Sequence, residues 1–412
     1  TADLLNANQA LSQLSYSPRA KNYILKKQNF FYFYSIRKLV ISLNKTMRVA
    51  IIGSGISGLS SAFFLAKNHK VDIFEKNNRL GGHTHTHRIN LDNEINVDSG
   101  FIVFNKKNYP NLIKLFNELD LEFHRCDMSL SVQTKDFQWS SKKFSKIRNL
   151  FSLRNLKFIS EIIKFNYLAK SNSSSEPIEK WIKVNNFSKN FSEAYLYPMI
   201  AAIWSGSSER MKDYPASSLI NFLNNHGLLN LFRGPQWFSI KGGSNQYIEK
   251  IIEKGNLNNI YLDSKVAIER NKNKIILEND GEKHEYDKLI MACNAKEIIG
   301  SILDLGKTEI SILNNFTFIE NKVCLHTDES LMPSNKEEWC SWNVNKNSNS
   351  EFVTYWMNNL QDLKTSKNIF VSIGDFRVGD NKEHRSMIYE HPFYNLDTFL
   401  GQKNVDDIQG LN

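Results

Sequence analysis

The spacing of hydrophobic residues divides the chain into three parts of different character. Near residue 48, two short apolar runs that suit buried strands enclose a segment with helical spacing. Between residues 141 and 231, apolar side chains recur every three or four residues, which predicts amphipathic helices. From residue 236, short strand-like runs return and carry many aromatic residues. The pattern predicts an α/β chain that a helical insert interrupts.

The predicted elements outside the insert are mostly short. Before the insert we expect helices over 59–67 and 109–119, a short strand that leads into Gly53, strands over 71–75, 83–90 and 94–98, and strands around a polar turn within 130–139. After the insert we expect a helix over 248–254 and strands over 266–269, 274–278, 289–292, 322–327, 339–343, 352–357 and 369–373. Residues 171–177, which are rich in Ser, predict a surface linker within the insert.

The first strand leads into the pattern Gly53-Ser-Gly55-Ile-Ser-Gly58, and the second strand ends in Glu75. Gly53 permits a tight turn, Gly55 lets a pyrophosphate approach the backbone, and Gly58 lets the helix pack against the strand. The N-terminus of that helix offers N–H groups to phosphates, and Glu75 can accept hydrogen bonds from a ribose. A glycine turn without a ligand is the alternative, but the two strands and the acidic residue favour a dinucleotide site.

Length, charge and cysteine content narrow the class of protein. A chain of 412 residues with 41% hydrophobic residues is long enough for two domains. Residues 1–46 contribute +6 to the net charge of +9, so residues 47–412 lack the basic surface of a nucleic-acid-binding protein. No apolar run approaches the ~20 residues that cross a bilayer. Four scattered cysteines indicate reduced thiols in a cytoplasmic protein.

Two basic segments allow a second interpretation. Residues 1–46 contain no Met, and we interpret them as a leader outside the fold; a targeting or membrane-surface arm is the alternative. Basic residues also interleave with the apolar positions of the insert, at Arg148, Arg154, Lys157, Lys164 and Lys170. An ordinary solvated helix face accounts for them, and a peripheral contact with an anionic membrane stays open.

The segment Glu75-Lys-Asn-Asn-Arg79-Leu-Gly81-Gly82 resembles the acidic residue and R-x-G-G extension of the flavin-containing amine oxidase superfamily. The resemblance implies a Rossmann-like FAD-binding domain of the amine-oxidase type, a second α+β substrate domain, and FAD as cofactor. It also implies that Arg79 and the two glycines close over the pyrophosphate. The cofactor-binding residues predicted from the glycine turn and the resemblance are Gly53, Gly55, Ile56, Ser57, Gly58, Glu75, Lys76, Arg79, Gly81, Gly82, His83, Gly100, Phe101, Val266 and Ala292.

Further segments resemble one bacterial subgroup of amine-oxidase-like proteins that accompany cyclopropane-fatty-acid synthases; they are 98–105, 198–205, 235–237, 325–328 and 354–358. This resemblance covers roughly residues 47–410 and implies a fatty-acyl substrate ahead of an amine or an isoprenoid. Two features depart from the superfamily. His83 stands where the superfamily has Arg, and the chain stops where a last glycine turn and helix would begin. We therefore expect a C-terminally truncated fold with altered flavin binding.

Catalytic candidates are few. The resemblance puts Lys322 on the strand where many amine oxidases hold a lysine near flavin N5, and a solvent-exposed lysine is the alternative. His83, His85 and His87 alternate as on one strand face, but no further ligand completes a recognisable set, so we predict no metal. Aromatic residues that could line a substrate tunnel, or simply fill a core, are Trp204, Trp237, Tyr355 and Trp356.

These features together predict a two-domain, FAD-dependent oxidoreductase. Its FAD-binding domain would comprise 47–128 and 236–298, and its substrate domain 129–235 and 299–400. It would oxidise or desaturate a small-molecule or lipid substrate by passing a hydride to the flavin. One alternative is a non-catalytic FAD-fold protein that binds a lipid or a partner, and another is an NAD(P)-dependent dehydrogenase. The substrate, the electron acceptor and the oligomeric state stay open.

Overall fold

The computed structural model describes residues 46–144, 153–170, 174, 176–204, 206–229, 234–271, 274–347 and 350–410. Nearly all of the predicted leader and part of the predicted linker lie outside these residues. The strands described are β1 (Arg48–Ile52), β2 (Lys70–Phe74), β3 (Thr86–Asn90), β4 (Glu94–Asp98), β5 (Phe104–Asn105), β6 (Phe123–Cys126), β7 (Leu130–Thr134), β8 (Gln138–Ser140), β9 (Trp237–Ile240), β10 (Asn259–Tyr261), β11 (Val266–Asn271), β12 (Lys274–Asn279), β13 (Glu282–Tyr286), β14 (Lys288–Met291), β15 (Thr317–His326), β16 (Trp342–Lys346), β17 (Glu351–Trp356), β18 (Phe370–Gly374) and β19 (Glu383–Phe393).

Most of the helices lie in the predicted insert or cover the sheets. The α-helices described are α1 (Ile56–Leu65), α2 (Pro110–Glu118), α3 (Ser141–Phe144), α4 (Leu153–Ala169), α5 (Ile178–Val184), α6 (Lys189–Phe191), α7 (Tyr197–Trp204), α8 (Ser208–Met211), α9 (Ala216–Asn225), α10 (Asn245–Lys254), α11 (Ala295–Ser301), α12 (Lys307–Leu313), α13 (Met357–Leu360) and α14 (Leu396–Asn404). A π-helical turn, Ser192–Leu196, joins α6 to α7. Among the described residues no helix is long and apolar enough to cross a membrane.

A parallel sheet of four strands, in the order β10-β2-β1-β14, carries the glycine pattern. Its strand β1 is apolar on both faces. Val49 and Ile51 pack into a core that includes residues of α1, whereas Ala50 and Ile52 pack into a second core with β11 and β12. A strand buried on both faces has a continuous apolar sequence, as this one does. The glycine turn and Glu75 therefore follow the carboxyl ends of neighbouring strands, where ligands of open α/β sheets bind.

A second, seven-stranded sheet has the order β19-β15-β18-β17-β16-β7-β8. It combines strands from both sides of the helical insert, because β7 pairs in parallel with β16. Val323, Leu325 and Val353 of this sheet share one core with Phe158 and Phe165 of the insert helix α4. The insert thus packs on the larger sheet.

The structure shifts two predicted strands and contains a long strand that was not predicted. The strand expected over 83–90 begins only at Thr86, since the positive φ angles of Gly81 (108°) and Gly82 (58°) bend the chain into a turn first. The strand expected over 339–343 lies at Trp342–Lys346. The long strand Glu383–Phe393 was not predicted, because it lies at the sheet edge and its polar residues hide the alternation.

Candidate active site

The glycine turn packs backbone against backbone. A Cβ on Gly58 would lie 1.8 Å from the Gly53 carbonyl oxygen, and a Cβ on Gly53 would lie 2.6 Å from the Ala292 oxygen. Helix α1 then begins at Ile56 with no acidic residue in its first turn, so its positive end is not neutralised there. The hydroxyl of Ser57 is buried and has no hydrogen-bond partner among the described residues. This geometry suits an anion at the helix N-terminus.

The carboxylate of Glu75 organises the chain beside the turn. One oxygen accepts hydrogen bonds from the Ser54 backbone N–H (2.9 Å) and the Ser54 hydroxyl (2.6 Å). The other accepts from the backbone N–H (3.0 Å) and the side-chain amide (2.6 Å) of Asn77. Glu75 is only 4% exposed, yet it lines the cavity described below. A ribose hydroxyl that bonds Glu75 would compete with the Asn77 side chain.

Arg79 holds the turn that follows it. Its guanidinium donates to three backbone carbonyls of that turn, those of Leu80 (3.3 Å), Gly82 (2.7 Å) and Thr84 (3.2 Å). Burial lowers the pKa of Arg79. Arg79 therefore shapes the Gly81-Gly82 turn and also lines the cavity described below, and its implied contact with a pyrophosphate stays a prediction.

The neighbouring segments close against this turn. A Cβ on Gly100 would lie 1.9 Å from the His83 carbonyl oxygen, which also accepts a hydrogen bond from Phe101 N–H (3.0 Å). Lys76 bonds Glu297 (2.6 Å); burial lowers the pKa of Lys76, but the Glu297 carboxylate outweighs burial and the net shift is upward. Lys76 is therefore paired and is not a free cation for a phosphate.

One cavity of about 1550 Å³ joins these parts. Thirteen of the fifteen predicted cofactor-binding residues line it; the exceptions are Ser57 and Gly58, which lie behind the turn. From the turn it continues into a chamber with apolar walls, lined by Met128, Leu130, Ile159, Ile162, Met199, Ile203, Trp204, Trp237, Trp342 and Tyr355. Since ligand pockets usually measure about 300–1,000 Å³, the cavity has room for a nucleotide cofactor and a second molecule.

The sequence similarities cover short parts of the chain. Residues 51–119 match the family model described as an NAD(P)-binding Rossmann-like domain. Protoporphyrinogen oxidase of Dictyostelium discoideum is 45% identical over 67 residues, which are 13% of this chain and 13% of that protein. The matched region is therefore only a small part of that relative.

Similarity in structure extends over most of the described chain. A CLA-producing fatty acid isomerase from P. acnes superposes with a TM-score of 0.61 at 13% identity, covering 89% of this chain and 92% of that one. Cyclohexylamine oxidase from Brevibacterium oxydans superposes with a TM-score of 0.58 at 16% identity, covering 80% and 75%. The chain has the amine-oxidase-like fold. This confirms the predicted fold class, and together with the sequence matches it supports the resemblance behind that prediction.

The predicted catalytic lysine and one of the predicted substrate-lining residues lie outside the cavity. Lys322 is exposed, and its ammonium lies 5.3 Å from the centre of the Phe376 ring, whereas its neighbour Val323 lines the cavity. Trp356 packs edge-on against Trp339, while Tyr355 lines the cavity. Successive residues of a strand face opposite sides of the sheet. Because Val323 and Tyr355 face the chamber, Lys322 and Trp356 point away from it. Lys322 is therefore not in a position to act on a bound substrate.

A hydrogen-bonded cluster of histidine and tyrosine side chains lies between the glycine turn and the chamber. His85 Nδ1 lies 2.9 Å from Tyr389 Oη, which lies 2.7 Å from Ser99 Oγ, and this hydroxyl lies 2.8 Å from His87 Nε2. Burial lowers the pKa of His85 to about 3 and that of His87 to about 4, so both rings are neutral at pH 7. His85, Ser99 and Tyr389 line the cavity.

His83 does not share a strand face with the other two histidines. Its ring stacks on His391 of β19 (5.0 Å between ring centres), while the rings of His85 and His87 are 3.9 Å apart. No group of three or more potential ligands among the described His, Cys, Asp and Glu residues is arranged to hold a metal ion. Sequence reasoning missed Tyr389 and His391, because the strand that carries them was not predicted.

Proposed function

We propose that the chain binds FAD along the glycine turn and oxidises or desaturates an apolar substrate in the adjoining chamber. The observation that carries the proposal is the single cavity that runs from Gly53 and Glu75 to apolar walls around Trp204 and Tyr355. A nucleotide site alone would need no such chamber. An oxidoreductase needs both, because the reacting carbon must meet the cofactor away from water.

The residues of the turn fit FAD. The unneutralised N-terminus of α1 suits the diphosphate, whereas Ser57 and Gly58 lie behind the turn and support it. The Glu75 carboxylate suits the adenosine ribose, and Val266 and Ala292 line the same cavity. We accordingly assign all fifteen predicted residues to the cofactor site, with Arg79 and Gly58 supporting the turn. The predicted domain ranges, 47–128 with 236–298 and 129–235 with 299–400, belong to the same proposal.

FAD, when bound, supplies a hydride acceptor for a C–H bond of the substrate. A desaturation also releases a proton from the neighbouring carbon, and the chain must accept it. With Lys322 outside the cavity, the series His85, Tyr389, Ser99 and His87 is the best candidate for that acceptor. Both imidazoles are unprotonated at pH 7, although burial makes them weaker bases than a free imidazole. The hydroxyls of Tyr389 and Ser99 connect the two rings and can pass a proton between them. The chamber walls orient the substrate and exclude water.

The chamber favours an acyl chain over an amine. Its deep walls are aliphatic, aromatic or thioether side chains, such as Met128, Ile162, Met199 and Ile203. Of the acidic residues that line the cavity, Glu75 and Glu297 follow or lie on elements of the cofactor end. Glu390 of β19 accepts a hydrogen bond from Asn294, which precedes α11 (3.1 Å), and Glu320 of β15 is its partner in the larger sheet. Structural similarity to a fatty acid isomerase supports the same choice.

The test is to titrate the full chain with FAD and then add candidate substrates without oxygen. We expect one FAD per chain and bleaching of its visible absorbance by saturated acyl phospholipids, but not by short amines. Glu75→Ala should weaken FAD binding about 10- to 100-fold, because charged hydrogen bonds are lost. Glu253→Ala, a change of an exposed carboxylate on α10, is the matched control and should bind as the wild type does.

Three results would contradict the proposal. Binding of NAD(P)H without FAD would favour a dehydrogenase. A folded chain that takes up neither nucleotide would favour a non-catalytic lipid or partner-binding protein. Equal FAD affinity for Glu75→Ala and wild type would remove the assigned ribose contact.

A further inference from the structure

Helix α4 (Leu153–Ala169) separates the chamber from solvent and is apolar on both of its faces. Ile159 and Ile162 line the cavity on the inner side. On the outer side Leu156, Ile163 and Tyr167 keep 49%, 52% and 77% of their surface exposed. A surface helix of a globular protein normally has one apolar face. The outer apolar face therefore needs an explanation.

The exposed apolar residues form one continuous stripe. Leu156, Ile163 and Tyr167 are seven and four residues apart, a spacing that brings them onto the same side of a helix. Val184, 69% exposed at the end of α5, extends the stripe. Lys164 joins α4 to the end of α5, because its ammonium donates to the carbonyl of Asn185 (2.6 Å), the residue after Val184. We call these four residues, Leu156, Ile163, Tyr167 and Val184, the outer stripe.

The part of the sequence that carries the outer stripe is strongly basic. Residues 141–189 contain eleven Lys or Arg and three Glu, a net charge of +8. Residues 47–412 carry +3 in total, so the remainder of that range is net negative, at −5. The exposed Lys157 and Lys164 lie on α4 beside the stripe, and the exposed Lys170 follows directly after the helix. An apolar stripe flanked by lysines is the pattern of a helix that lies in the interface of an anionic membrane.

Other occupants of this face fit less well. A second copy of the chain would bring a second +8 surface against the first, which is repulsive. A nucleic acid would use the lysines but would leave the outer stripe in water. An anionic phospholipid surface suits both the outer stripe and the lysines, since acyl chains cover the stripe and headgroups contact the lysines.

We propose that the outer stripe and its flanking lysines dock the protein on an anionic phospholipid surface. The chamber behind the same helix then receives an acyl chain of a docked lipid, a part of the inference that rests on the proposed function. One helix, about 10 Å thick, would separate the membrane from the chamber. Docking would thus deliver a water-insoluble substrate without its passage through solvent.

Vesicle sedimentation of the full chain, without flavin or substrate, tests the docking. We expect binding to phosphatidylglycerol-containing vesicles, little binding to pure phosphatidylcholine, and release by high salt. The triple variant Leu156→Ser/Ile163→Ser/Tyr167→Ser and the charge variant Lys157→Glu/Lys170→Glu should each bind at least ~10-fold more weakly. The matched control is Leu303→Ser/Ile252→Ser, which removes two apolar side chains of similar exposure (70% and 41%) elsewhere. It should bind as the wild type does.

Circular dichroism and thermal unfolding of each variant show whether it is folded, and only folded variants are compared. Failure of the wild type to bind anionic vesicles would overturn the docking. So would wild-type binding by the triple variant, because the interaction would then be with charge alone. A dimer of the wild type that the triple variant abolishes would assign the stripe to a second copy of the chain instead. None of these outcomes affects FAD uptake, which is measured without vesicles, so failure of docking and failure of the proposed function are distinguishable.

Discussion

Mild acid should destabilise this protein strongly, because several buried histidines are neutral in the fold. His226 and His326 are 1% and 0% exposed, and burial lowers the pKa of each to about 4. Burial and the neighbouring His83 lower the pKa of His391 to about 3. In the unfolded chain a histidine has a pKa of about 6.5. The unfolded state therefore binds more protons below pH 6.5, and stability is lost as the pH falls from there towards 4.

The magnitude follows from these pKa values. Between pH 7.5 and 5.5 each neutral histidine loses about 1.4 kcal/mol of stabilisation, so three lose about 4 kcal/mol. Asp98 acts in the opposite direction, since burial raises its pKa to about 6 and the folded state takes up its proton first. This proton uptake adds about 1 kcal/mol of stability over the same pH range. His85 and His87 lose stabilisation in the same direction, so the net loss is at least about 3 kcal/mol. This is a large part of the 5–15 kcal/mol that typically stabilises a protein.

Urea unfolding at pH 7.5 and 5.5, followed by circular dichroism, measures this loss, and His326→Gln isolates one contribution. His326 Nδ1 accepts a hydrogen bond from Asp328 N–H (3.1 Å), and Nε2 lies 2.8 Å from Ser372 Oγ, so a proton on Nδ1 breaks the first bond. The variant should lose about 1.4 kcal/mol less than the wild type between the two pH values. Ser372→Ala should lower stability at both pH values but keep their difference. Equal stability of the wild type at both pH values would refute the reasoning.

Three further changes test particular side chains. Gly58→Ala should destabilise the fold by ~2–3 kcal/mol or more and abolish FAD uptake, since its Cβ would meet the Gly53 oxygen at 1.8 Å; urea midpoints and flavin fluorescence measure both. Tyr389→Phe should slow substrate-driven bleaching of the flavin ~100-fold with FAD affinity unchanged, and an unaltered rate in stopped-flow measurements would exclude the proposed relay. Lys322→Met should leave that rate unchanged, and a large drop would return the lysine to the catalytic site.

The nucleotide end of the fold could be predicted because its signals are local. The turn over Gly53, Gly55 and Gly58 and the acidic end of β2 depend on residues that are neighbours in sequence. The helix over Pro110–Glu118 was predicted within two residues, since Pro at its first position and apolar residues at helical spacing mark it. Local chemistry of this kind needs no knowledge of tertiary contacts.

The catalytic end could not be predicted because it depends on strand register and on distant contacts. Lys322 and Trp356 are each adjacent in sequence to a residue that lines the cavity. A shift of one residue along a strand moves a side chain to the opposite face of the sheet. The contact of His85 with Tyr389 joins residues 304 positions apart on a strand without a clear alternation. The guanidinium of Arg79 bonds three backbone carbonyls of the following turn. A sequence motif does not reveal these bonds.

Calorimetric titration of the full chain with FAD tests the central claim most directly. The account predicts saturation at one FAD per chain, with binding weakened by Glu75→Ala and unaffected by Glu253→Ala. Absence of binding heat and of thermal protection at saturating FAD, from a wild-type chain shown to be folded, would contradict it.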